Sequence, residues 1–154
     1  MTAQAIADFT LPATGKLDFN LHAQRGHPLV IYFYPKDSTP GCTTETTQFR
    51  DLHADFAQQD CAIYGLSRDS LKSHENFKAK LGLPFELISD PDEIACTLFG
   101  VIKQKKLYGK DVRGIERSTF LFDAKGQLQH EWRGVKADGH AADVLKTLTA
   151  MLNH

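Results

Sequence analysis

The residues best equipped for chemistry lie together, in Tyr32-Phe33-Tyr34-Pro35-Lys36-Asp37-Ser38-Thr39-Pro40-Gly41-Cys42-Thr43-Thr44-Glu45. An apolar run, Leu29-Val30-Ile31-Tyr32-Phe33, leads into this stretch, and a helical pattern leaves it. Cys42 therefore stands in the first turn of a helix that begins where a buried strand ends. Free N–H groups and the positive end of the helix dipole gather at such a turn and stabilise an anion. For cysteine that anion is the thiolate, its nucleophilic form. Pro35, Pro40 and Gly41 are placed to shape the loop so that the sulfur is presented rather than packed away. Thr39 offers a hydroxyl to a thiolate or to a bound oxygen. The bland alternative is a small residue filling a helix start.

Other chemistries find less support. The remaining cysteines are Cys61 and Cys96, an odd and sparse set that does not read as a disulfide framework. Cys61 opens a predicted strand and reads as a packed core thiol; Cys96 lies on a short capped helix and reads as structural. No Cys-x-x-Cys is present, and no proline follows Pro91, which argues against a disulfide reductase. The histidines at 22, 27, 53, 74, 130, 140 and 154 are scattered without metal-ligand spacing. His53 is too far along the helix to read as the base of a cysteine hydrolase.

Composition narrows the partners. With 18 basic and 19 acidic residues the net charge is −1, so bulk charge does not call for nucleic acid or an anionic membrane. The start of the chain, residues 1–8, has neither a basic segment nor a long apolar one, and no apolar run is long enough to span a bilayer. The expected location is the cytoplasm. No linker, repeat or low-complexity run divides the 154 residues, so one domain over 1–154 is expected.

The elements that must position Cys42 follow from periodicity. Residues 9–11 and 17–21 read as short strands around a Gly15-Lys16 turn. Residues 29–34 are apolar on both parities, as in a strand covered on both faces. Phe49, Leu52, His53, Phe56 and Ala57 mark one face of the following helix. A strand over 61–66, a helix over 70–81 and a strand over 85–88 come next. Asp90-Pro91-Asp92-Glu93 reads as a helix start with Asp90 as N-cap and Glu93 at the third position. Residues 103–116, rich in lysine, read as a surface excursion. A hairpin over 118–133 turns at 123–126, and a final helix after Gly139 carries Ala141, Leu145, Leu148 and Leu152 on one face. This order predicts an α/β fold, a mixed central sheet flanked by helices on both faces, with an N-terminal β-hairpin extension.

Pro35-x-x-x-Thr39-x-x-Cys42 resembles the peroxiredoxin signature. The longer stretch through Glu45, followed by Phe49-Arg50-Asp51, is similar to the bacterioferritin comigratory protein (peroxiredoxin Q) branch. Segments 65–70, 89–91 and 117–123 resemble the same branch, so the likeness covers nearly the whole chain. The resemblance implies a thioredoxin-like fold and thiol-dependent reduction of hydrogen peroxide and organic hydroperoxides. It implies Cys42 as the peroxidatic residue, oxidised to sulfenic acid. Thr39 would orient the peroxide, and Pro35 would shield the pocket. Arg117 would hold the thiolate and the charge developing on the breaking O–O bond, and Glu45 would position an arginine. No cofactor is called for. Electrons would come from an external thiol such as thioredoxin, glutaredoxin or glutathione, and the branch implies a monomer or weak homodimer. The branch's resolving cysteine falls either five residues after the first, here Thr47, or in the next helix, which here has none. A one-cysteine cycle is therefore expected. The alternatives are a two-cysteine cycle through Cys96 or Cys61, and a peroxide-sensing or chaperone-like module using the same thiol.

Overall fold

A computed structural model describes residues 6–153, except for the side chain of Leu107. Residues 1–5, on which the expectation of no leader partly rests, and His154 lie outside the described residues.

The chain begins with the antiparallel pair β1 (Thr10–Ala13) and β2 (Leu17–Asn20), followed by a short 3-10 turn. β3 (Leu29–Phe33) is buried at every position, as its two-sided apolar run requires. Then come α1 (Pro40–Gln58), β4 (Ala62–Ser67), α2 (Leu71–Leu81), β5 (Glu86–Ser89) and α3 (Ile94–Phe99). The chain continues through β6 (Ile102–Leu107), β7 (Lys110–Ile115), β8 (Ser118–Phe122), β9 (Leu128–Arg133) and α4 (His140–Leu152). Seven strands form one sheet in the order β2-β1-β5-β4-β3-β8-β9, and β6 and β7 pair separately. β3, β4 and β5 run parallel, while β8 and β9 are antiparallel to their neighbours.

This topology explains the two cores. The β3–α1–β4 and β4–α2–β5 crossovers step the same way along the sheet, so their common right-handed sense puts α1 and α2 on one face. Phe49 and Phe56 of α1, Phe77 of α2, and Val144 and Leu148 of α4 pack there against Val30, Tyr32 and Leu87. On the other face Phe99 of α3 joins Phe9, Phe19, Ile31, Phe33 and Phe120. The expected mixed sheet with helices on both faces is thus present, and β1–β2 extend its edge through the Ala13–Ile88 pairing.

Several local expectations change. Residues 103–116 are mostly a regular β-hairpin rather than a loose excursion, with Ile102 paired to Ile115 and Leu107 to Lys110. α3 begins at Ile94, after a turn in which Glu93 adopts a left-handed φ of 60°. Asp90 still caps it, but with both carboxylate oxygens, accepting from the Ile94 and Cys96 amides. On α1 the buried face is Cys42, Glu45, Thr46, Phe49 and Phe56, with Ala57 exposed. Leu152 and Leu17 are likewise exposed, because Leu152 is the last residue of α4 and β2 is a sheet edge.

Candidate active site

β3 delivers the chain to its C-terminal sheet edge, where residues 34–39 turn into α1. Thr39 is extended at the N-cap (φ −82°, ψ 153°), and its carbonyl accepts from the Thr43 amide at 2.9 Å. Pro40 follows at the start of the helix, where a missing N–H is harmless. Ser38, at φ 65°, is held in the left-handed region, an arrangement that costs a non-glycine residue about 1 kcal/mol or more. The Thr39 hydroxyl donates back to the Lys36 carbonyl at 2.8 Å.

Cys42 is 1% exposed, among Tyr32, Tyr34 and Phe49 of the helix-side core. The expectation of a presented sulfur is therefore corrected: the first turn of α1 docks directly onto the sheet and encloses it. β8 pairs with β3 so that Ser118 faces Phe33, and this register places Arg117 level with the loop after β3. Arg117 Nη2 donates to Cys42 Sγ at 3.5 Å, and Nη1 donates to Glu45 Oε1 at 2.7 Å. Gly41 makes this approach possible. A Cβ there would lie 3.0 Å from Arg117 Nη2, tighter than ordinary packing.

Glu45 is fully buried, and its Oε2 has no hydrogen-bond partner among the described residues. Burial pushes its carboxyl up to about 7, because desolvation outweighs the opposing pull of Arg117. For Arg117, burial works against the cation, but Glu45 and then Cys42 outweigh it and raise its pKa. His140, at the start of α4, donates or accepts at 2.7 Å with the Thr119 hydroxyl and stacks edge-on against Phe49 and Trp132. Burial lowers its pKa to about 4; Asp143 opposes that shift and the Arg117 charge adds to it.

A second polar group anchors the loop. Asp37 is buried, with Oδ1 accepting from the Tyr34 hydroxyl at 2.6 Å and Oδ2 from Ser73 Oγ at 2.8 Å. Oδ2 also lies 2.7 Å from His74 Nδ1, while His74 Nε2 lies 2.9 Å from the Ile88 carbonyl. Both ring nitrogens of His74 thus face oxygen atoms that can accept a hydrogen bond. The Asp37 amide donates to Asp69 Oδ2 at 2.9 Å. Burial would raise the Asp37 carboxyl, but His74, Tyr34 and Ser73 outweigh it and the net shift is downward. The active-site loop is thereby tied to α2 and to the turn before it. Sequence reading missed this cluster, since Asp37, Asp69 and His74 are far apart in the chain. The one available signal was His74 on the apolar face of α2.

Of the residues singled out in the sequence, Cys42, Glu45 and Arg117 come into direct contact. Thr39 is half-buried at the helix start and Pro35 is exposed at the entry to the loop. Thr47 sits on α1 with its hydroxyl on the Thr44 carbonyl. Cys61 and Cys96 are buried elsewhere. Cys61 precedes β4 at the level of Pro28, at the opposite end of the strands, and burial pushes its thiol up to about 12. Cys96 belongs to the core on the other face of the sheet, and burial again raises its pKa.

The AhpC/TSA family model matches residues 2–131, and the chain belongs to that family. Among curated relatives, Peroxiredoxin Bcp of Xanthomonas campestris is 54% identical over 146 residues, covering 95% of this chain and 91% of the relative. Peroxiredoxin Bcp of Bacillus subtilis is 51% identical over 127 residues, covering 82% and 81%. A solved bacterioferritin comigratory protein of X. campestris, described for its alkyl peroxide reduction activity, superposes with a TM-score of 0.89. It is 53% identical, over 93% of this chain and 91% of that one. A Xylella fastidiosa PrxQ variant gives a TM-score of 0.92 at 42% identity, covering 99% and 98%. The fold is thioredoxin-like, and the activity is that of a thiol-dependent peroxidase.

Proposed function

We propose that the protein, acting as one domain over residues 1–154, reduces hydrogen peroxide and organic hydroperoxides by a one-cysteine cycle at Cys42. The observation carrying this reading is the contact of Arg117 with both Cys42 Sγ and the buried Glu45. The Cys42 thiolate attacks the terminal peroxide oxygen. An S–O bond forms, the O–O bond breaks, and the leaving oxygen takes a proton to depart as water or alcohol. Negative charge moves from sulfur to the leaving oxygen, and the Arg117 guanidinium is fixed beside that path. Glu45 holds the guanidinium in place. Thr39, its hydrogen committed to Lys36, retains lone pairs that accept from the peroxide O–H, and Pro35 borders the entrance. The X. campestris relative described for its alkyl peroxide reduction activity supports including organic hydroperoxides.

Regeneration falls to an external thiol, of the thioredoxin, glutaredoxin or glutathione kind. One thiol condenses with the sulfenic acid, releasing water and leaving a mixed disulfide; a second thiolate then displaces Cys42. Internal resolution is opposed by geometry. Five residues of β3 separate the level of Cys61 from that of Cys42, about 16 Å at the usual strand rise. Cys96 lies across the sheet from Cys42. A disulfide requires Cα atoms within about 7 Å. Because Cys42 is buried, a protein thiol also needs the first turn of α1 to open before it can react.

A cytoplasmic location and a monomer or weak homodimer complete the reading. The described residues contain no helix long and apolar enough to cross a membrane. Sedimentation at several concentrations checks the assembly state. The decisive experiment treats the protein with stoichiometric peroxide, followed by mass spectrometry and turnover with thiol donors. Cys42→Ser should be inactive, and Cys61→Ser and Cys96→Ser should turn over like wild type. A Cys42–Cys61 or Cys42–Cys96 disulfide as the main product would overturn the one-cysteine cycle.

A further inference from the structure

The β6–β7 hairpin has no role in the site described above, yet its charge departs sharply from the rest of the chain. Residues 102–115 hold Lys103, Lys105, Lys106, Lys110 and Arg113 against the single acid Asp111. The arm thus carries +4 on a chain of net charge −1, which leaves the remainder at −5. All four lysines are exposed, and none makes a salt bridge among the described residues. Tyr108 at the tip is 96% exposed.

The charge is sorted by face. The register pairs Lys105 with Val112, Lys103 with Gly114 and Leu107 with Lys110, so Lys103, Lys105, Lys110, Val112 and Gly114 share one side. That side has no acid, and Val112 is an exposed apolar residue on it. Asp111 and Arg113 fall on the opposite side with Ile115, which is buried. A Cβ on Gly114 would meet Arg68 Nη2 at 3.7 Å, so Arg68 stands at the foot of the lysine side. Arg68 follows β4 just as the Cys42 loop follows β3; the two strands are parallel, so both lie at the same sheet edge. Arg68 and Arg113 both pair with Glu93, which fixes the base of the arm. Two residues past β7 comes Arg117 itself.

We propose that this lysine side is the docking surface for an acidic protein thiol donor, a partner that reduces oxidised Cys42 from the neighbouring sheet edge. The inference rests on the external-thiol reading above. An acid-free row of flexible cations around the exposed Val112 steers and orients a negatively charged protein, mainly through its association rate. A small neutral thiol gains nothing from it. Bulk composition conceals the arm, because its charge cancels against the rest of the chain.

The test is the combined Lys103→Glu, Lys105→Glu, Lys110→Glu variant, with a milder all-Gln version beside it as a check on folding. Three rates are measured: oxidation by hydrogen peroxide, recycling by dithiothreitol, and recycling by an acidic thioredoxin kept reduced by its reductase. The first two should match wild type. The third should fall about tenfold or more in kcat/KM for the Glu variant, less for the Gln variant, and lose its steep dependence on salt. Equal recycling by the acidic thioredoxin in wild type and the Glu variant overturns the proposal. So does recycling of wild type by dithiothreitol but not by the acidic thioredoxin. Failure of both donors on wild type would instead sink the external-thiol reading, and the proposal with it. Duplex DNA binding at physiological salt that the Glu variant abolishes would reassign the surface to nucleic acid.

Discussion

A guanidinium shared between one sulfur and one carboxylate makes sharp demands on its neighbours. Replacing Arg117 by Met keeps much of the bulk and removes the charge. Oxidation of Cys42 by peroxide should slow by about two to three orders of magnitude, as when one preorganised donor is lost. Glu45→Gln keeps an acceptor for Arg117 and should cost far less than Glu45→Ala, which frees the side chain. Gly41→Ala should slow the same step, since its methyl would crowd Arg117 Nη2. Stopped-flow oxidation rates decide the order; a fast Arg117→Met enzyme would remove Arg117 from the mechanism. Cys42 and its loop were readable because their spacing is local and carries a family pattern. The Asp37–His74 pair was not, because its partners meet only once β3, α2 and β5 are packed.

Among the elements, α1 and the loop before it depend on α2 more than chain order suggests. Asp37 is their joint, and removing one partner of a buried hydrogen-bonded pair is expensive. Asp37→Asn should destabilise the protein by about 3 kcal/mol. It should also speed hydrogen exchange in the first turn of α1 relative to α4. An unchanged melting curve would show that the pair contributes little. Two elements eluded sequence reading for separate reasons. The β6–β7 arm has lysines where a half-buried strand would alternate apolar and polar residues, so periodicity gave no strand signal. α3 starts late because Glu93 is drawn out of the helix by Arg68 and Arg113, an attraction invisible along the chain. The strands with two covered faces, β3 and β8, were the plainest, since a short continuous apolar run is what burial on both sides of a sheet demands.

For the whole molecule, two buried groups pull the pH dependence of stability in opposite directions. His140 is lowered to about 4 from 6.5, so its neutral form favours folding above about pH 6.5 and that contribution is lost as pH falls toward 4. Glu45 is raised to about 7 from 4.5, so its contribution is full below about pH 4.5 and is lost as pH rises through 7. Each amounts to about 3 kcal/mol at its limit. Melting curves between pH 4 and pH 8 should show His140→Gln less sensitive to acid than wild type. Glu45→Gln should lose less stability on going from pH 5 to neutral. Parallel curves for all three proteins would dismiss both assignments. The sheet has one more effect at this scale, and it concerns time. Cys96 lies across it from Cys42, and Cys61, on the same side as Cys42, stands at the far end of the strands, so neither waits beside the oxidised sulfur. On the proposed one-cysteine cycle, the lifetime of the sulfenic acid is set by the supply of reductant outside the protein. When peroxide outruns that supply, the same sulfur meets a second oxidant and climbs to the sulfinic state, which ordinary thiols do not reverse. Under that cycle the catalyst is a fuse, spent when reducing power fails.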